Sequence, residues 1–253
     1  MSFKKKLNSK KTLIGSWITL PNNSIAEIMS KCGFDWLAID MEHSAISIQN
    51  AEELIRVIDL CNVQPIVRLT SINKNQIKRM MDAGAKGIIV PMVNSLSDIE
   101  EVVSYLRYPP LGNRSVGLAR AQGYGSNFAK YLETEKRDIS LIIQIEHTKA
   151  VENIDEIFSS KHIDAFLIGP YDLSASLGTP GDFQSLKYKN AIKKINQAAR
   201  KFNIASGIHI IDPSINQLKK VLKEKYTFVA YSLDIRVIDF NYRKALKEIK
   251  KIK

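Results

Sequence analysis

Residues 34–61, FDWLAIDMEHSAISIQNAEELIRVIDLC, contain the pattern that decides the fold. Residues 34–41 form a nearly continuous apolar run, which is typical of a strand buried on both faces. Residues 47–61 have apolar side chains at helical spacing and begin with a serine, which predicts a capped amphipathic helix. A buried strand followed by such a helix is one βα unit of a parallel sheet.

The same unit recurs along the whole chain of 253 residues. Eight βα units in a chain of this length predict an α/β fold, the (β/α)8 TIM barrel. An open, doubly wound sheet is the alternative, but that fold usually has a glycine-rich phosphate loop after its first strand, and residues 15–24 do not form one. The predicted strands span residues 12–20, 34–41, 65–70, 87–93, 140–146, 163–170, 204–210 and 226–234.

Eight helical patterns separate these strands, and the connection between strands four and five is unusually long. We expect a single barrel domain over residues 1–253, with a basic segment at 1–11 and a terminal helix at 235–253. The connection at 108–127 is too long for a simple turn, so we expect it to border the functional site. The predicted helices span residues 24–33, 47–61, 73–84, 95–108, 149–160, 188–201, 213–225 and 235–253.

Composition restricts the class of protein. The chain is 45% hydrophobic and 25% charged, which is ordinary for a globular protein and excludes disordered and fibrous classes. Its net charge of +11 comes largely from lysines on the polar faces of predicted helices, so we expect a solvated exterior and no nucleic-acid partner. We also expect no membrane span, no signal peptide and a cytoplasmic protein.

Polar side chains follow most of the predicted strands. In a TIM barrel the active groups lie at the carboxyl-terminal ends of the strands, so these side chains should meet at one mouth. Arg68 and Glu146 end otherwise apolar strands and would be desolvated without partners. The set comprises Trp17, Asp40, Glu42, His43, Arg68, Pro91, Gln144, Glu146, Asp172, His209 and Asp234.

Glu146 and Asp172 are one βα unit apart, which places them on neighbouring strand ends. Two adjacent carboxylates repel each other unless a cation or a shared proton intervenes. Oxygen ligands favour Mg²⁺, Mn²⁺ or a similar ion. A carboxylate pair bound by arginine or lysine is the alternative, and the spacing alone does not distinguish the two.

The distribution of lysine and histidine narrows the chemistry. A Schiff-base aldolase needs a desolvated lysine at a strand end, whereas Lys86 and Lys161 precede their strands. Imine chemistry is therefore disfavoured. His43, flanked by Asp40 and Glu42, has the setting of a general base.

Six motifs in order resemble the HpcH/HpaI family of metal-dependent pyruvate aldolases. The resemblance extends from about Ile14 to Asp234, and six motifs in one order are far more specific than any one of them. The motifs are IDMEHS (39–44), PIVRLT (65–70), DAGAKGIIVPMV (82–93), YPPLGNRSVGLARA (108–121), QIEHTKAVEN (144–153) and GPYDLSASLG (169–178).

The resemblance implies a role for each catalytic position. His43 would be the catalytic base, Asp40 would orient it, and Arg68 would stabilise an enolate. Asp82 stands where an acid from a neighbouring subunit supports the histidine, which implies a homo-oligomer, typically a hexamer in this family. Glu146 and Asp172 would hold a divalent ion, Mg²⁺, Mn²⁺ or Co²⁺.

The resemblance also implies the substrate contacts. Gln144 and Tyr171 stand where the family contacts substrate, Gly169 and Pro170 open a helix that can hold its carboxylate, and Trp17 ends the first strand. We expect Arg114 and Arg120 of the long connection to contact the aldehyde part. Tyr171 replaces a small residue, and Ser115 replaces a glycine, so the identity of the aldehyde stays open.

The implied reaction cleaves or forms the C3–C4 bond of a 4-hydroxy-2-keto acid, with pyruvate and an aldehyde as the small-molecule partners. Two alternatives remain. A carbon–carbon lyase for a CoA thioester of the malyl-CoA or citramalyl-CoA type would use similar groups, but it would need a basic, adenine-accommodating entrance. A barrel without catalytic activity that binds anions on its basic surface is the other alternative.

Overall fold

The computed structural model describes residues 3–9 and 11–252 and confirms the TIM barrel. Its eight strands are all parallel and pair in chain order, and β1 also pairs with β8, so the sheet closes on itself rather than staying open. The strands are β1 Leu13–Ile18, β2 Trp36–Asp40, β3 Gln64–Arg68, β4 Gly87–Val90, β5 Ser140–Ile145, β6 Ala165–Ile168, β7 Ala205–Ile210 and β8 Phe228–Leu233.

The described residues form twelve α-helices and one 3₁₀ segment. Asparagine or serine caps most of the longer helices, as in α4, where Asn73 accepts the Gln76 backbone N–H and Gly84 ends the helix at a φ of 102°. The helices are α1 Phe3–Asn8, α2 Asn23–Ser30, α3 Ile48–Leu60, α4 Lys74–Ala83, α5 Leu96–Leu106, α6 Phe128–Asp138, α7 Thr148–Glu152, α8 Ile154–Phe158, α9 Pro170–Ser176, α10 Leu186–Phe202, α11 Ile215–Lys223 and α12 Asp234–Ile252, with the 3₁₀ segment at Arg120–Gly125.

Several predicted element boundaries are wrong, each for a local reason. Strand β4 ends at Val90 rather than at residue 93, since the following Pro91 has no N–H to donate to a sheet. Strand β6 ends at Ile168 because Pro170 occupies the first turn of α9. The helix predicted at 149–160 is divided into α7 and α8 at Asn153.

Helices α1 and α6 were not predicted. Of the basic segment at 1–11, residues 1, 2 and 10 lie outside the described residues, and Phe3–Asn8 form α1. Helix α6 is rich in charged residues and Glu135 is its one buried residue, so few apolar side chains mark this segment as a helix. None of the helices in the described part of the chain combines the length and hydropathy that crossing a bilayer requires.

Strand residues alternate between two apolar layers. On β2, Trp36 and Ala38 belong to the cluster inside the barrel, whereas Leu37 and Ile39 belong to the cluster between the strands and the helices. Because side chains on a strand alternate, the next inward residue is Asp40. The same count leads from Ile66 to Arg68, from Ile142 to Gln144 and Glu146, and from Ala205 to His209. The fold therefore directs polar residues into the mouth.

Candidate active site

Asp40 and Arg68 form the central ion pair of the mouth. They are partners in the β2–β3 register, and the guanidinium donates from Nε to Asp40 Oδ1 at 2.9 Å and from Nη2 to Oδ2 at 2.6 Å. Burial raises the pKa of the Asp40 carboxyl, but the hydrogen bonds and charge of Arg68 outweigh it and leave that pKa below its ordinary value. This two-bond geometry fixes the guanidinium plane.

Glu42 and His43 lie beside this pair. Asp40 Oδ1 accepts the backbone N–H groups of both residues, at 3.0 and 3.2 Å. Asp40 therefore positions the His43 backbone, whereas the imidazole Nε2 lies 3.8 Å from Glu42 Oε2. The His43 side chain is 68% exposed, so the imidazole is accessible from the mouth. Glu42 also contacts Arg68 Nη1 at 3.3 Å.

Glu146 follows β5 and is the most perturbed carboxylate of the mouth. Its Oε1 accepts the Met92 backbone N–H at 2.6 Å, and its Oε2 accepts the Gln144 amide at 2.7 Å. Burial raises its pKa to about 7, and the negative charges of Glu42 and Asp172 act in the same direction. A carboxylate in this state is stabilised by a nearby cation.

Asp172 lies in the first turn of α9 and is exposed at the rim. Asp172 lies near enough to Glu42 and Glu146 for its negative charge to act on both carboxyls and raise the pKa of each. Gly169 precedes α9 and packs directly on Glu146, because a Cβ at this glycine would lie 2.6 Å from Glu146 Oε2. The position of the Glu146 carboxylate therefore depends on the missing side chain of this glycine.

These residues fit a divalent cation that has two protein ligands. Among the described residues, no lysine or arginine forms an ion pair with Glu146 or Asp172, so the alternative of a carboxylate pair bound by a basic side chain is not supported. Each Glu146 oxygen accepts one hydrogen bond and keeps a second lone pair. In residues 3–9 and 11–252, no three His, Cys, Asp or Glu side chains are grouped closely enough to hold one metal ion together. Such a site leaves coordination positions for substrate and water.

A cavity of about 110 Å³ opens at the mouth of the barrel, with Asp172 as the carboxylate in its lining. The predicted substrate residues Trp17, Gln144, Gly169, Pro170 and Tyr171 line it together with Arg68 and Asp172. The Arg68 guanidinium carbon lies 4.6 Å from the centroid of a Trp17 ring, which is a cation–π distance. The structure thus brings the predicted substrate residues together.

Arg114, Arg120 and Asp82, which were also expected to contribute to the site, do not line this cavity. Arg114 is 2% exposed and pairs with Asp82 at 2.5 Å, and Arg120 pairs with Asp59 at 2.5 Å. The expectation that Arg114 and Arg120 contact the aldehyde is therefore wrong for these residues within one chain. Both anchor the long connection to the surface of the barrel. The role of Asp82 toward a neighbouring subunit stays a prediction.

Sequence reasoning placed Glu42 at the mouth without a role and missed Met92. Glu42 interacts with both Arg68 and His43, and burial raises its pKa. Its place directly before the predicted base in the sequence was a usable signal. Met92 contributes only a backbone N–H, at a φ of 55°, and side-chain identity carries no signal for that.

Comparison with known proteins gives consistent matches over nearly the whole chain. The family description HpcH/HpaI aldolase/citrate lyase matches residues 13–239. A 2-keto-3-deoxy-L-rhamnonate aldolase from Klebsiella pneumoniae subsp. pneumoniae is 37% identical over 234 residues, which cover 92% of this chain and 86% of that protein.

Two solved structures of similar length share the architecture. An HpcH/HpaI aldolase/citrate lyase family protein from Burkholderia cenocepacia has a TM-score of 0.92 at 29% identity, covering 98% of each chain. The HpcH/HpaI aldolase from Desulfitobacterium hafniense has a TM-score of 0.90 at 29% identity, covering 99% of this chain and 97% of that one.

The match covers all eight strands and the mouth that they form. It confirms the family resemblance seen in the motifs and, with it, the carbon–carbon lyase class of the enzyme. This protein belongs to the HpcH/HpaI aldolase/citrate lyase family.

Proposed function

We propose that this enzyme cleaves the C3–C4 bond of a 4-hydroxy-2-keto acid and releases pyruvate and an aldehyde, with the reverse condensation at the same site. The observation that carries the proposal is Glu146, a buried carboxylate crowded by Glu42 and Asp172 beside a fixed guanidinium, Arg68. Such a site suits a cation on one side and a developing enolate on the other. The rhamnonate aldolase relative makes a keto acid derived from a sugar the first candidate substrate.

Glu146 and Asp172 would hold a divalent metal ion, Mg²⁺, Mn²⁺ or Co²⁺. When bound, the ion supplies Lewis-acid polarisation of the keto group and stabilises the negative charge that forms as the bond breaks. Gln144 and the Met92 backbone N–H orient the Glu146 carboxylate for that role.

Arg68 would face the keto oxygen on the other side of the substrate. Asp40 holds the guanidinium by two hydrogen bonds, so the donors are oriented before substrate arrives. A preorganised donor aimed at a developing oxyanion lowers the barrier because no reorganisation is needed during the reaction. The backbone N–H groups of Tyr171 and Asp172, in the first turn of α9, would hold the substrate carboxylate.

His43 Nε2 would take the proton of the C4 hydroxyl through one water, and the C4 alkoxide would collapse to an aldehyde as the C3–C4 bond breaks. Glu42, whose Oε2 lies 3.8 Å from that nitrogen, would stabilise the imidazolium that results. The pyruvate enolate then takes a proton at C3 and leaves as pyruvate. The electron pair of the broken bond passes to C3, and no oxidant or reductant is required.

We infer a homo-oligomer, with a hexamer as the first candidate, from helix α12. This helix of 19 residues presents exposed apolar side chains at helical spacing, at 40–54% exposure for Ile235, Ile238, Leu246 and Ile249. An exposed apolar stripe of this length is typical of a contact between subunits. The free cysteines, Cys32 and Cys61, accord with a cytoplasmic enzyme.

The test is release of pyruvate from a panel of 4-hydroxy-2-keto acids, with EDTA and with added Mg²⁺, Mn²⁺ or Co²⁺. We expect release that depends on the metal and that falls about 10²- to 10⁴-fold in His43→Ala, the range of a general base. His162→Ala, in an exposed turn at the other end of the barrel, is the matched control and should retain activity. Release that persists in EDTA and is trapped by borohydride would contradict the proposal, as would cleavage of CoA thioesters alone.

A further inference from the structure

Three buried polar atoms of the cavity wall have no hydrogen-bond partner among the described residues. They are Trp17 Nε1, Gln144 Oε1 and His209 Nε2, and all three side chains line the same cavity. Buried polar atoms are nearly always hydrogen-bonded in folded proteins, so three exceptions in one small cavity require an explanation. Their location indicates that a bound molecule completes these hydrogen bonds.

Trp17 and His209 form one continuous part of this wall. Their ring centroids are 5.6 Å apart, with an angle of 52° between the planes. Strand β8 runs between their two strands and presents the small residue Ala230 opposite His209, which leaves room for the rings to approach. Trp17 also lies against the Arg68 guanidinium, so this wall continues directly from the proposed reaction centre.

The two rings offer one donor and one acceptor and no charge. Burial lowers the pKa of His209 to about 4, and the positive charge of Arg68 acts in the same direction, so the imidazole is neutral. We assign the ring proton to Nδ1, toward the Ser232 backbone carbonyl, which leaves Nε2 as the ring nitrogen without a partner. His209 Nε2 is then an acceptor, whereas Trp17 Nε1 can only donate.

We propose that Trp17 and His209 form a hydroxyl-binding subsite, in which a substrate hydroxyl accepts from Trp17 Nε1 and donates to His209 Nε2. The proposal rests on the proposed function, which places a keto acid in this cavity. A hydroxyl both accepts and donates, as these two nitrogens require. A carboxylate oxygen would meet the lone pair of Nε2, and an apolar group would leave both nitrogens unpartnered.

Gln144 connects the subsite to the proposed reaction centre. Its amide nitrogen donates to Glu146 Oε2 at 2.7 Å, so its Oε1 is the part left facing the cavity without a partner. The hydroxyl has two chemical sources, C3 of a substituted keto acid and the carbon next to the aldehyde carbonyl. Both present the same O–H group, and the experiment separates them.

The test compares hydroxylated and deoxy probes in His209→Leu and Trp17→Phe, which remove the acceptor and the donor separately. One arm measures binding of 3-hydroxypyruvate relative to pyruvate by calorimetry. The other measures kcat/KM for condensation of pyruvate with 2-hydroxypropanal relative to propanal. We expect the wild type to favour the hydroxylated probe by about tenfold in one arm, and both variants to bring that ratio near one. The arm that responds identifies the source of the hydroxyl.

His162→Leu is the matched control, because it makes the same exchange in an exposed turn before β6. It should keep the wild-type ratio. Thermal unfolding of each variant checks that it is folded. If His209→Leu does not fold, Trp17→Phe, which keeps an aromatic ring, still tests the subsite. If the ratios in both arms are the same in wild type and variants, ordered water alone fills the site and the proposal is overturned.

Exchange of the pyruvate C3 protons in D₂O, followed by NMR with added Mn²⁺, tests the proposed function separately, since it needs the enolate but no hydroxyl. If pyruvate is deuterated but the ratio of hydroxylated to deoxy probe is the same in wild type and variants, the subsite alone is overturned. Absence of deuteration, together with a binding preference that depends on His209, overturns the proposed function and supports the subsite.

Discussion

At the amino-terminal end of the barrel, Trp36 and Phe228 point inward. At the carboxyl-terminal end, the inward side chains include Asp40, Arg68 and Glu146. The aromatic rings of Trp36 and Phe228 stack at 4.3 Å. Helix α1 closes that end with Phe3 and Leu7, which are 2% and 1% exposed. The inside of the barrel is a packed apolar core at one end and an open charged mouth at the other.

This difference separates stability from activity along the barrel axis. Burial of large apolar rings stabilises the fold at the closed end. At the mouth, burial and like charges raise the pKa of both Glu42 and Glu146, which means that the ionised carboxylates are held there at a cost to stability. Substitutions at the two ends should therefore have opposite consequences.

The largest effect is expected for Glu146→Ala. Loss of a metal-holding carboxylate should lower metal-dependent pyruvate release about 10³-fold or more, because several kcal/mol of transition-state stabilisation depend on the ion. The metal-free variant should be at least as stable as the wild type near pH 8, because the variant lacks one of three crowded charges. Steady-state kinetics and thermal unfolding measure the two quantities. Glu152→Ala, exposed on α7, is the control, and a Glu146→Ala enzyme with wild-type activity would contradict the metal site.

A substitution at the closed end should show the reverse. Trp36 is fully buried, and a Cβ on Gly15 would lie 2.1 Å from its ring, so the space around it is filled. Trp36→Ala should lower the free energy of unfolding by about 3–5 kcal/mol through the cavity it leaves. The folded fraction should keep the metal dependence of the wild type.

Urea unfolding measures this loss of stability. Trp36→Phe retains an aromatic ring and should lose less. A variant that unfolds like the wild type but has lost catalysis would show that the two ends are not separable.

The closed end and most of the fold were predictable because hydrophobic periodicity reports burial directly. Strand β2 begins with four consecutive apolar residues, and the residues that follow such runs converge wherever parallel strands close into a barrel. The alternation on each strand also assigns Asp40, Arg68 and Glu146 to the inside, a step that needs only the strand register.

The rest of the mouth depends on contacts that sequence does not encode locally. Arg114 and Arg120 were expected to contact the aldehyde, but they pair with Asp82 and Asp59, which are 32 and 61 residues away in the chain. Long-range partners of an arginine leave no periodic signal. The unpartnered nitrogen of His209 likewise becomes visible only when the neighbouring side chains are in place.

The smallest expected effect is the pH dependence of metal binding at the mouth, which the closed end should not share. The pKa of Glu146 is raised to about 7 in the folded protein, above its ordinary value of 4.5. The folded state therefore holds this proton more tightly than the unfolded state, and stability from this group falls as pH rises from about 4.5 to about 7. A divalent ion binds the ionised carboxylate and must displace the proton, so its affinity should rise over the same range.

Added Mn²⁺ should consequently raise the unfolding temperature more at pH 8 than at pH 6. A tenfold change in affinity is about 1.4 kcal/mol, and for a protein of this size that free energy shifts the unfolding temperature by about 3 °C. Differential scanning fluorimetry at the two pH values measures the shift. Glu146→Gln should show little response to the ion at either pH, whereas Glu152→Gln on the surface should keep the wild-type pH dependence. Trp36→Phe, at the closed end, should lower the unfolding temperature by the same amount with and without the ion. An equal Mn²⁺ response at pH 6 and pH 8 in the wild type would show that Glu146 does not exchange its proton for the ion.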